Sequence, residues 1–173
     1  MSETVHSVNE LNKDLFTPGE DDPFCDPIAA RKKAMDYLAR REYGRLELQA
    51  KLEGAGFATE TARVAVDRLA CEGLQCDRRF IENFMQSRIN QGKGPVRIRL
   101  DLGERKLEAG LVDELLSECE EDWGGLARKT REKKFGAELP VEFKEKARQM
   151  RFLQYRGFES GQIQAAIASR GDG

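Results

Sequence analysis

The sequence predicts an all-α fold built from three tandem three-helix repeats. The composition is poor in aromatic residues (8%) and rich in charged ones (35%), a balance that favours helices over sheets. A short phrase recurs three times along the chain, as LEGAGF, LGERKL and LQYRGF. Apolar residues around each copy recur at the spacing of amphipathic helices. Units in a row that contact mainly their neighbours predict an elongated molecule.

The repeat units follow from aligning the chain with itself. Residues 46–57 align with residues 96–107, and Gly56 in the first copy of the phrase falls on Gly157 in the third. Each copy is flanked on both sides by a further helical pattern, so each unit contains three helices. The predicted segments are an acidic tail over 1–27 and three-helix repeats over 28–76, 77–120 and 121–170.

The helices of each unit are predicted from apolar spacing and capping residues, in chain order. The first helix of unit 1 lies within 28–42 and carries Ala34, Met35 and Leu38. Thr59 is the predicted N-cap of the third helix, whose apolar positions at i, i+3, i+4 and i+7 are Ala62, Ala65, Val66 and Leu69. Asp77 is the predicted cap of a helix with Ile81, Phe84 and Met85. Ser160 occupies the cap position in unit 3, before Ile163, Ala166 and Ile167.

The segment VRIRLDL, which begins at Val96, alternates between apolar and polar residues and by itself is typical of a β-strand. Its counterpart in unit 1, LELQAKL, consists of good helix formers and is followed by glycine, which favours a helix in both copies. Pro95 then lies at the first helical position, where proline is tolerated. Val96 and Leu100 fall on one side of such a helix, and Ile98 and Leu102 fall on the other. We therefore predict a helix packed between two others.

The third unit departs from the other two in two respects. It contains an extra segment, AELPVEFKE, between its first and second helices. Its middle helix has Gln149 and Arg151 where the other units have apolar residues. The predicted buried residues of this helix are instead Ala147, Met150 and Leu153.

Several classes of protein are disfavoured by the composition. The apolar runs are shorter than a membrane span, and we expect a cytoplasmic protein without a signal peptide. The four cysteines lack a zinc-type spacing and the one histidine, His6, lies in the acidic tail, so we expect free thiols and no metal site. The chain has no P-loop motif and no histidine for a catalytic set within the repeats. We expect neither a cofactor nor an enzymatic activity.

Charge is distributed unevenly along the chain. The tail carries seven acidic residues and one basic residue, and we expect it to be mobile. Residues 78–106 hold eight basic and three acidic residues, a net charge of +5, and residues 128–156 hold ten and four, a net charge of +6. Between them, residues 107–122 hold seven acidic residues and no basic one. These charged zones either bind a charged partner or only keep the surface of a thin helical array hydrated.

The sequence resembles the RecX family over residues 28–170. The resemblance rests on LARREYGRLELQAKLEGAGF in unit 1, on SRINQGKGPVRIRLDLGERKL in unit 2 and on LQYRGFESGQIQAAI in unit 3. The phrase of unit 2 is the most specific, through Arg88, Gly92, Gly94, Pro95, Arg97, Ile98, Arg99 and Leu102. The tail lies outside the resemblance.

The resemblance implies a binding regulator with an elongated, curved array of three-helix repeats. RecX proteins regulate the bacterial recombinase RecA. The implied function is a negative regulator that binds RecA filaments on single-stranded DNA and inhibits ATP hydrolysis, strand exchange and filament growth. The implied partner is the RecA filament, with weak non-specific DNA contact and a monomeric state. The alternative is a helix-turn-helix-like DNA-binding regulator, since three-helix units resemble such domains.

The candidate partner-binding residues are basic and lie near the turns that precede the middle helices. In unit 2 they are Arg88, Lys93, Arg97 and Arg99, which surround the GKG turn. Helix N–H groups and basic side chains together are a suitable anion site there. The corresponding residues are Arg40, Arg41 and Arg45 in unit 1 and Arg148 in unit 3. Because isolated exposed charges contribute little to stability, replacing the four residues of unit 2 by Ala is expected to leave the helices folded. The alternative is that Arg97 packs through its alkyl stem, in which case Arg97→Ala lowers the melting temperature.

Overall fold

The computed structural model describes residues 24–168, which form nine α-helices and no β-strand. The helices are α1 (Pro27–Leu38), α2 (Arg45–Gly54), α3 (Thr59–Cys71), α4 (Asp77–Asn90), α5 (Pro95–Gly103), α6 (Ala109–Glu118), α7 (Trp123–Phe135), α8 (Phe143–Tyr155) and α9 (Ser160–Ile167). The all-α prediction is confirmed. The alternating segment is helix α5, with Pro95 at its first turn as expected.

Each group of three helices has its own hydrophobic core. In unit 1, α3 packs on both α1 and α2, and the predicted residues Ala62, Ala65, Val66 and Leu69 are buried. Unit 2 is built around α4, α5 and α6, and unit 3 is built around α7, α8 and α9. Leu126 of α7 packs against the cores of both unit 2 and unit 3. The fold is thus an array of three tandem three-helix units, in which consecutive units touch.

Three helix caps differ from the prediction by one residue. The N-caps are Ala58, Cys76 and Glu159, so that Thr59, Asp77 and Ser160 are the first residues of their helices. At α9, the Glu159 side chain accepts from the backbone of Gln162, and the Gln162 side chain accepts from the Glu159 N–H. This reciprocal capping box satisfies two backbone donors. It explains why the chain enters the helix after Glu159 rather than after Ser160.

Each middle helix contacts both other helices of its unit, as predicted, but only one of its two apolar sides is buried. One side of each is fully buried, through Leu48, Leu52, Ile98 and Leu102. On the other side Leu46 is 51% exposed and Leu100 is 59% exposed. The reason is that adjacent units meet mainly at the turns that precede α2 and α5, while α2 also reaches unit 2 through the ion pair between Glu47 and Arg105.

Units 1 and 2 are joined by polar contacts at the start of α2. The Arg45 N–H donates to Oδ1 of Asp77 over 2.7 Å, so this carboxylate stabilises the N-terminus of a helix in the neighbouring unit. Gln75, which is buried, donates to the Tyr43 carbonyl and to the same Asp77 oxygen. Asp77 was predicted as a cap of its own helix, and the structure places its side chain at the start of another.

Units 2 and 3 are joined by backbone contacts at the start of α5. The N–H of Gly94 donates to the Arg156 carbonyl over 2.9 Å, and the N–H of Val96 donates to the Gly157 carbonyl over 3.1 Å. Gly157 has a φ of +88°, a region that favours glycine. A Cβ on Gly157 would lie 2.4 Å from the Arg97 nitrogen, so the two backbones approach too closely for any side chain.

The core of unit 3 contains polar groups that the sequence pattern did not predict. Leu153 is buried as predicted, but Ala147 and Met150 are only partly buried. Gln149 is buried instead, next to the buried Arg131 of α7. Gln149 occupies the position of Leu48 in unit 1 and Ile98 in unit 2, so its side chain points inward for the same geometric reason.

The last residues of the predicted tail contact unit 1. The Asp26 side chain accepts from the Ile28 N–H at the start of α1, and the Phe24 ring packs edge-on against Phe57. The Ala58 N–H donates to the Phe24 carbonyl over 3.1 Å. The expectation of a mobile tail over residues 1–23 lies outside the described residues. Among the helices of residues 24–168, none has the length and hydrophobicity to span a membrane.

Candidate functional site

Three basic side chains surround one carboxylate where units 2 and 3 meet, and a fourth lies next to one of them. Asp101 of α5 is 9% exposed. Nε of Arg88, in the last turn of α4, lies 3.0 Å from Oδ2 of Asp101, and Nε of Arg97 lies 2.8 Å from Oδ1. Lys93 lies close enough to interact electrostatically with Asp101, and Arg156 lies close enough to interact with Lys93. These residues, Arg88, Lys93, Arg97, Asp101 and Arg156, are called the Asp101 cluster below.

Local structure explains how the Asp101 cluster forms. Gly92, with a φ of +70°, ends α4 and reverses the chain, and the Lys93 N–H donates to the Arg88 carbonyl. Arg97 and Asp101 are four residues apart on α5 and therefore share a side of that helix. Arg156 arrives from the turn between α8 and α9, and its Nη1 donates to the Gln91 carbonyl over 3.1 Å. Three separate parts of the chain thus converge.

The start of α5 offers fewer free N–H groups than predicted. Those of Gly94 and Val96 already donate to carbonyl groups of unit 3, and Pro95 has none. The hypothesis that these backbone groups bind an anion together with basic side chains is therefore wrong for these residues. Anion binding at this position depends on the side chains.

The electrostatics of the cluster favour an incoming anion. The four cations and one carboxylate carry a net charge of +3. The pKa of the Lys93 ammonium lies below its ordinary value, mainly because burial removes water from the charged group and further because Arg156, Arg97 and Arg88 repel it, while Asp101 acts in the opposite direction. A phosphate or carboxylate placed beside Lys93 would offset this repulsion.

A groove with a cavity volume of about 790 Å³ extends from the Asp101 cluster between units 2 and 3. Arg156 and Gln91 belong to its lining, together with Lys129, Lys133 and Lys134 of α7. Nζ of Lys134 lies 4.4 Å from the centre of the Phe152 ring, which also lines the groove. Glu121 and Asp122 also line the groove, so its four basic side chains exceed its two carboxylates. This excess of positive charge beside an aromatic ring is suited to a polyanion such as nucleic acid or an acidic protein surface.

The structure brings together three of the eight predicted residues, namely Arg88, Lys93 and Arg97. Arg99 lies elsewhere on α5, where Nε donates to Asp113 over 2.7 Å. In unit 1, Arg41 pairs with Glu47 and stacks on Tyr43, Arg45 pairs with Asp67, and Arg40 is exposed. In unit 3, Arg148 pairs with Glu145 over 3.4 Å. Those five residues do not form a common surface with the cluster.

The site residues predicted from the sequence did not include Asp101, Arg156 or the lysines of α7. The signal for Arg156 was its place in LQYRGF, directly before the glycine that aligns with Gly56. Asp101 lies in the alternating segment as one more polar residue, and its burial becomes visible only once the segment is wound as a helix. The lysines of α7 were counted only as part of a basic zone.

Among residues 24–168, no group of three or more His, Cys, Asp and Glu side chains is arranged to hold a metal ion. Cys25, Cys71, Cys76 and Cys119 are all free thiols, as expected. The chemistry of the site is therefore built from guanidinium, ammonium and carboxylate groups.

We expect the substitution Arg156→Gln to raise the pKa of Lys93, because it removes a repelling charge next to a partly desolvated ammonium. The lowered pKa makes the folded state less stable at neutral pH, where Lys93 is protonated in both the folded and the unfolded chain. The free energy of unfolding recovers as the pH rises from the pKa of Lys93 in the folded chain to its pKa in the unfolded chain. The pKa is measured by NMR titration of the lysine side chains. An unchanged Lys93 pKa in Arg156→Gln would show that the two groups are not coupled.

Comparison with known proteins places these features in a family. Models of the three helical domains of RecX match the chain in order, the first three-helix domain over residues 30–69, the second over 77–116 and the third over 120–167. The regulatory protein RecX of Pseudomonas entomophila is 44% identical over 144 residues, which cover 83% of this chain and 93% of that protein. The regulatory protein RecX of Pseudomonas syringae pv. tomato is 43% identical over 145 residues, covering 84% and 94%.

Solved structures share the fold at low sequence identity. The crystal structure of RecX from Lactobacillus salivarius has a TM-score of 0.70 to this chain at 18% identity, and covers 82% of this chain and 94% of that one. A second crystal structure, of a regulatory protein RecX, has a TM-score of 0.70 at 21% identity. The repeats, the sequence identity over most of the chain and the shared array lead to one conclusion. This chain belongs to the RecX family of regulatory proteins.

Proposed function

We propose that this protein is a negative regulator of RecA, which binds RecA filaments on single-stranded DNA and inhibits ATP hydrolysis, strand exchange and filament growth. The observation that carries the proposal is the identity of more than 40% to regulatory proteins RecX over most of both chains. In this proposal the protein acts by binding, without a catalytic step or a cofactor, as a cytoplasmic monomer.

The site at the junction of units 2 and 3 supports this proposal physically. A RecA filament on DNA presents phosphates and protein surfaces along its length. Arg156 of the Asp101 cluster and the lysines of α7 place positive charge along one groove, and the acidic segment after α6 contributes Glu121 and Asp122 to the edge of the same groove. Alternating basic and acidic zones in a rigid array suit a partner whose own charges alternate.

The direct test is the rate of DNA-dependent ATP hydrolysis by RecA in the presence of the pure protein. We expect the rate to fall at substoichiometric amounts, because a regulator that limits filament growth removes several protomers for each molecule bound. An unchanged rate at equimolar protein would overturn the proposal.

The alternative of a helix-turn-helix-like DNA-binding regulator makes a different prediction. It requires sequence-specific binding to duplex DNA, by a helix whose side chains contact base edges. Competition binding between a random duplex pool and selected sequences distinguishes the two functions. Enrichment of one duplex sequence, without an effect on RecA, favours the alternative.

The double variant Lys93→Gln, Arg156→Gln should bind RecA filaments on single-stranded DNA about tenfold more weakly than the wild type. If both groups meet phosphates, the slope of log affinity against log salt should become shallower by about 1.4, or 0.7 for each lost contact. Arg63→Gln, Arg68→Gln is the matched control, since it removes two exposed charges from unit 1. Equal affinity and equal slope in the two variants would exclude the Asp101 cluster from the interface.

A further inference from the structure

The connection between α7 and α8 presents apolar side chains to solvent. Val141 is 94% exposed and Phe143 is 85% exposed, and Leu139 nearby is partly exposed. Residues 139–141 lie outside the helices, and Phe143 begins α8. Three large apolar side chains within five consecutive residues can form one contact surface, because such a segment spans at most about 17 Å. We call residues 137–143 the apolar loop.

A buried arginine fixes the backbone of the apolar loop. Arg131 of α7 has a side chain only 1% exposed. Its Nη1 donates to the Glu138 carbonyl over 2.8 Å, and its Nη2 donates to the Ala137 carbonyl over 3.1 Å. Gln149 of α8 accepts a third, longer bond from Nη1, and its own amide donates to Glu145. The loop is therefore attached to both helices that it joins.

Holding the loop through a buried arginine costs more free energy than a connection between two helices requires. Burial of a guanidinium carries a large desolvation penalty, and Nε of Arg131 has no hydrogen-bond partner among the described residues. Among those residues Arg131 is also the one arginine that is buried. Gln149 replaces the fully buried Leu48 and Ile98 of the other units. The core of unit 3 thus gives up apolar packing to hold the apolar loop in one conformation.

The charge around the apolar loop indicates the kind of partner. Glu138 and Glu142 lie within the loop, which has no basic residue, and the first turn of α8 adds Lys144, Glu145 and Lys146, so residues 137–146 carry a net charge of -1. A segment without excess positive charge does not attract phosphates, so nucleic acid and anionic membranes are disfavoured here. A protein pocket with an apolar floor and a basic rim is complementary to this loop.

We propose that the apolar loop is a preorganised protein-binding element, which inserts Val141 and Phe143 into an apolar pocket with a basic rim on the partner. The inference rests on the proposed function, in which that partner is a RecA protomer of the filament. Unit 3 then has two binding surfaces, the groove with its lysines for an anionic surface and the apolar loop for a protein pocket. Holding the loop in advance lowers the entropy lost on binding.

The test is the double variant Val141→Ser, Phe143→Ser in the full chain. We expect its affinity for RecA filaments on single-stranded DNA to fall by about tenfold or more, as for anchor residues of an interface. Its melting temperature and its affinity for single-stranded DNA alone should be unchanged, because both side chains are exposed. Ile28→Ser, Met35→Ser is the matched control, because it removes two exposed apolar side chains from α1.

A second variant, Arg131→Met, releases the loop and keeps Val141 and Phe143. We expect faster hydrogen exchange at residues 137–142 and weaker filament binding than in the wild type. If the wild type binds filaments and Val141→Ser, Phe143→Ser binds them equally well, this inference is overturned but the proposed function is not. The inference is also overturned if Val141→Ser, Phe143→Ser keeps its affinity for filaments but loses self-association or binding to lipid vesicles. If the wild type does not bind RecA, the proposed function is overturned, and this inference is overturned as well because it depends on that function.

Discussion

Replacing Gly157 with Ala should lower the free energy of unfolding by about 3 kcal/mol, the sum of two costs. The residue has a φ of +88°, where an L-residue is strained. The added Cβ would lie 2.4 Å from both the nitrogen and the Cβ of Arg97, and helix α5 cannot yield locally because Gly94 and Val96 are bonded to the same turn. Urea unfolding, followed by circular dichroism, measures the change.

Gly161→Ala is the matched control for this prediction. Gly161 lies in α9, a few residues further along the chain, and nothing lies within 4 Å of a Cβ added there. Because alanine favours the helix over glycine, this variant should be as stable as the wild type or more stable by up to about 1 kcal/mol. Equal stability of Gly157→Ala and Gly161→Ala would show that the close contact between units 2 and 3 does not exist in solution.

The double variant Arg88→Ala, Arg97→Ala should lose about 3 kcal/mol of stability, because it leaves the Asp101 carboxylate buried without a nearby guanidinium. This revises the sequence-based expectation that the basic residues of unit 2 can be replaced without loss of stability. That expectation treated all four residues as exposed and unpaired, whereas Arg88 and Arg97 compensate a carboxylate that is 9% exposed. Thermal and urea unfolding measure the loss.

Two further variants separate the effect of charge compensation from a general effect of removing arginine. Arg99→Ala, on the same helix, breaks only an exposed pair with Asp113 and should change stability by about 0–1 kcal/mol. The triple variant Arg88→Ala, Arg97→Ala, Asp101→Ala also removes the uncompensated charge and should recover part of the loss. A triple variant less stable than the double one would contradict this account of Asp101.

These results bear on how filament binding should be tested. A variant that removes Arg88 and Arg97 loses stability and binding together, so its weaker inhibition of RecA has two explanations. Substitutions at Lys93 and Arg156 have a smaller effect on stability, because neither residue forms an ion pair with Asp101 at the distances of Arg88 and Arg97, and Arg156 contributes one exposed hydrogen bond to the Gln91 carbonyl. The substitutions at Lys93 and Arg156 are therefore the cleaner test of the interface.

The sequence by itself determined the helical character, the three units and the family. Each of these depends on local or repeated information: residues with high helix propensity, apolar spacing along a single helix, and a phrase present three times. The helix over Pro95–Gly103 was predicted because its copy in unit 1 consists of good helix formers and ends at glycine. The Glu159–Gln162 capping box is also local, and the pattern was present in the sequence although Ser160 was chosen instead.

Only the tertiary structure decided which side of each middle helix is buried and which charges act together. Leu100 and Leu102 are equally apolar in the sequence, but only Leu102 faces the helices of its own unit. The Asp101 cluster joins Arg88 to Arg156, which are far apart in the chain, because the α8–α9 turn packs on the start of α5. Arg131 is buried because two backbone carbonyls of the apolar loop and Gln149 accept its N–H groups, and a residue pattern does not reveal where such acceptors will lie.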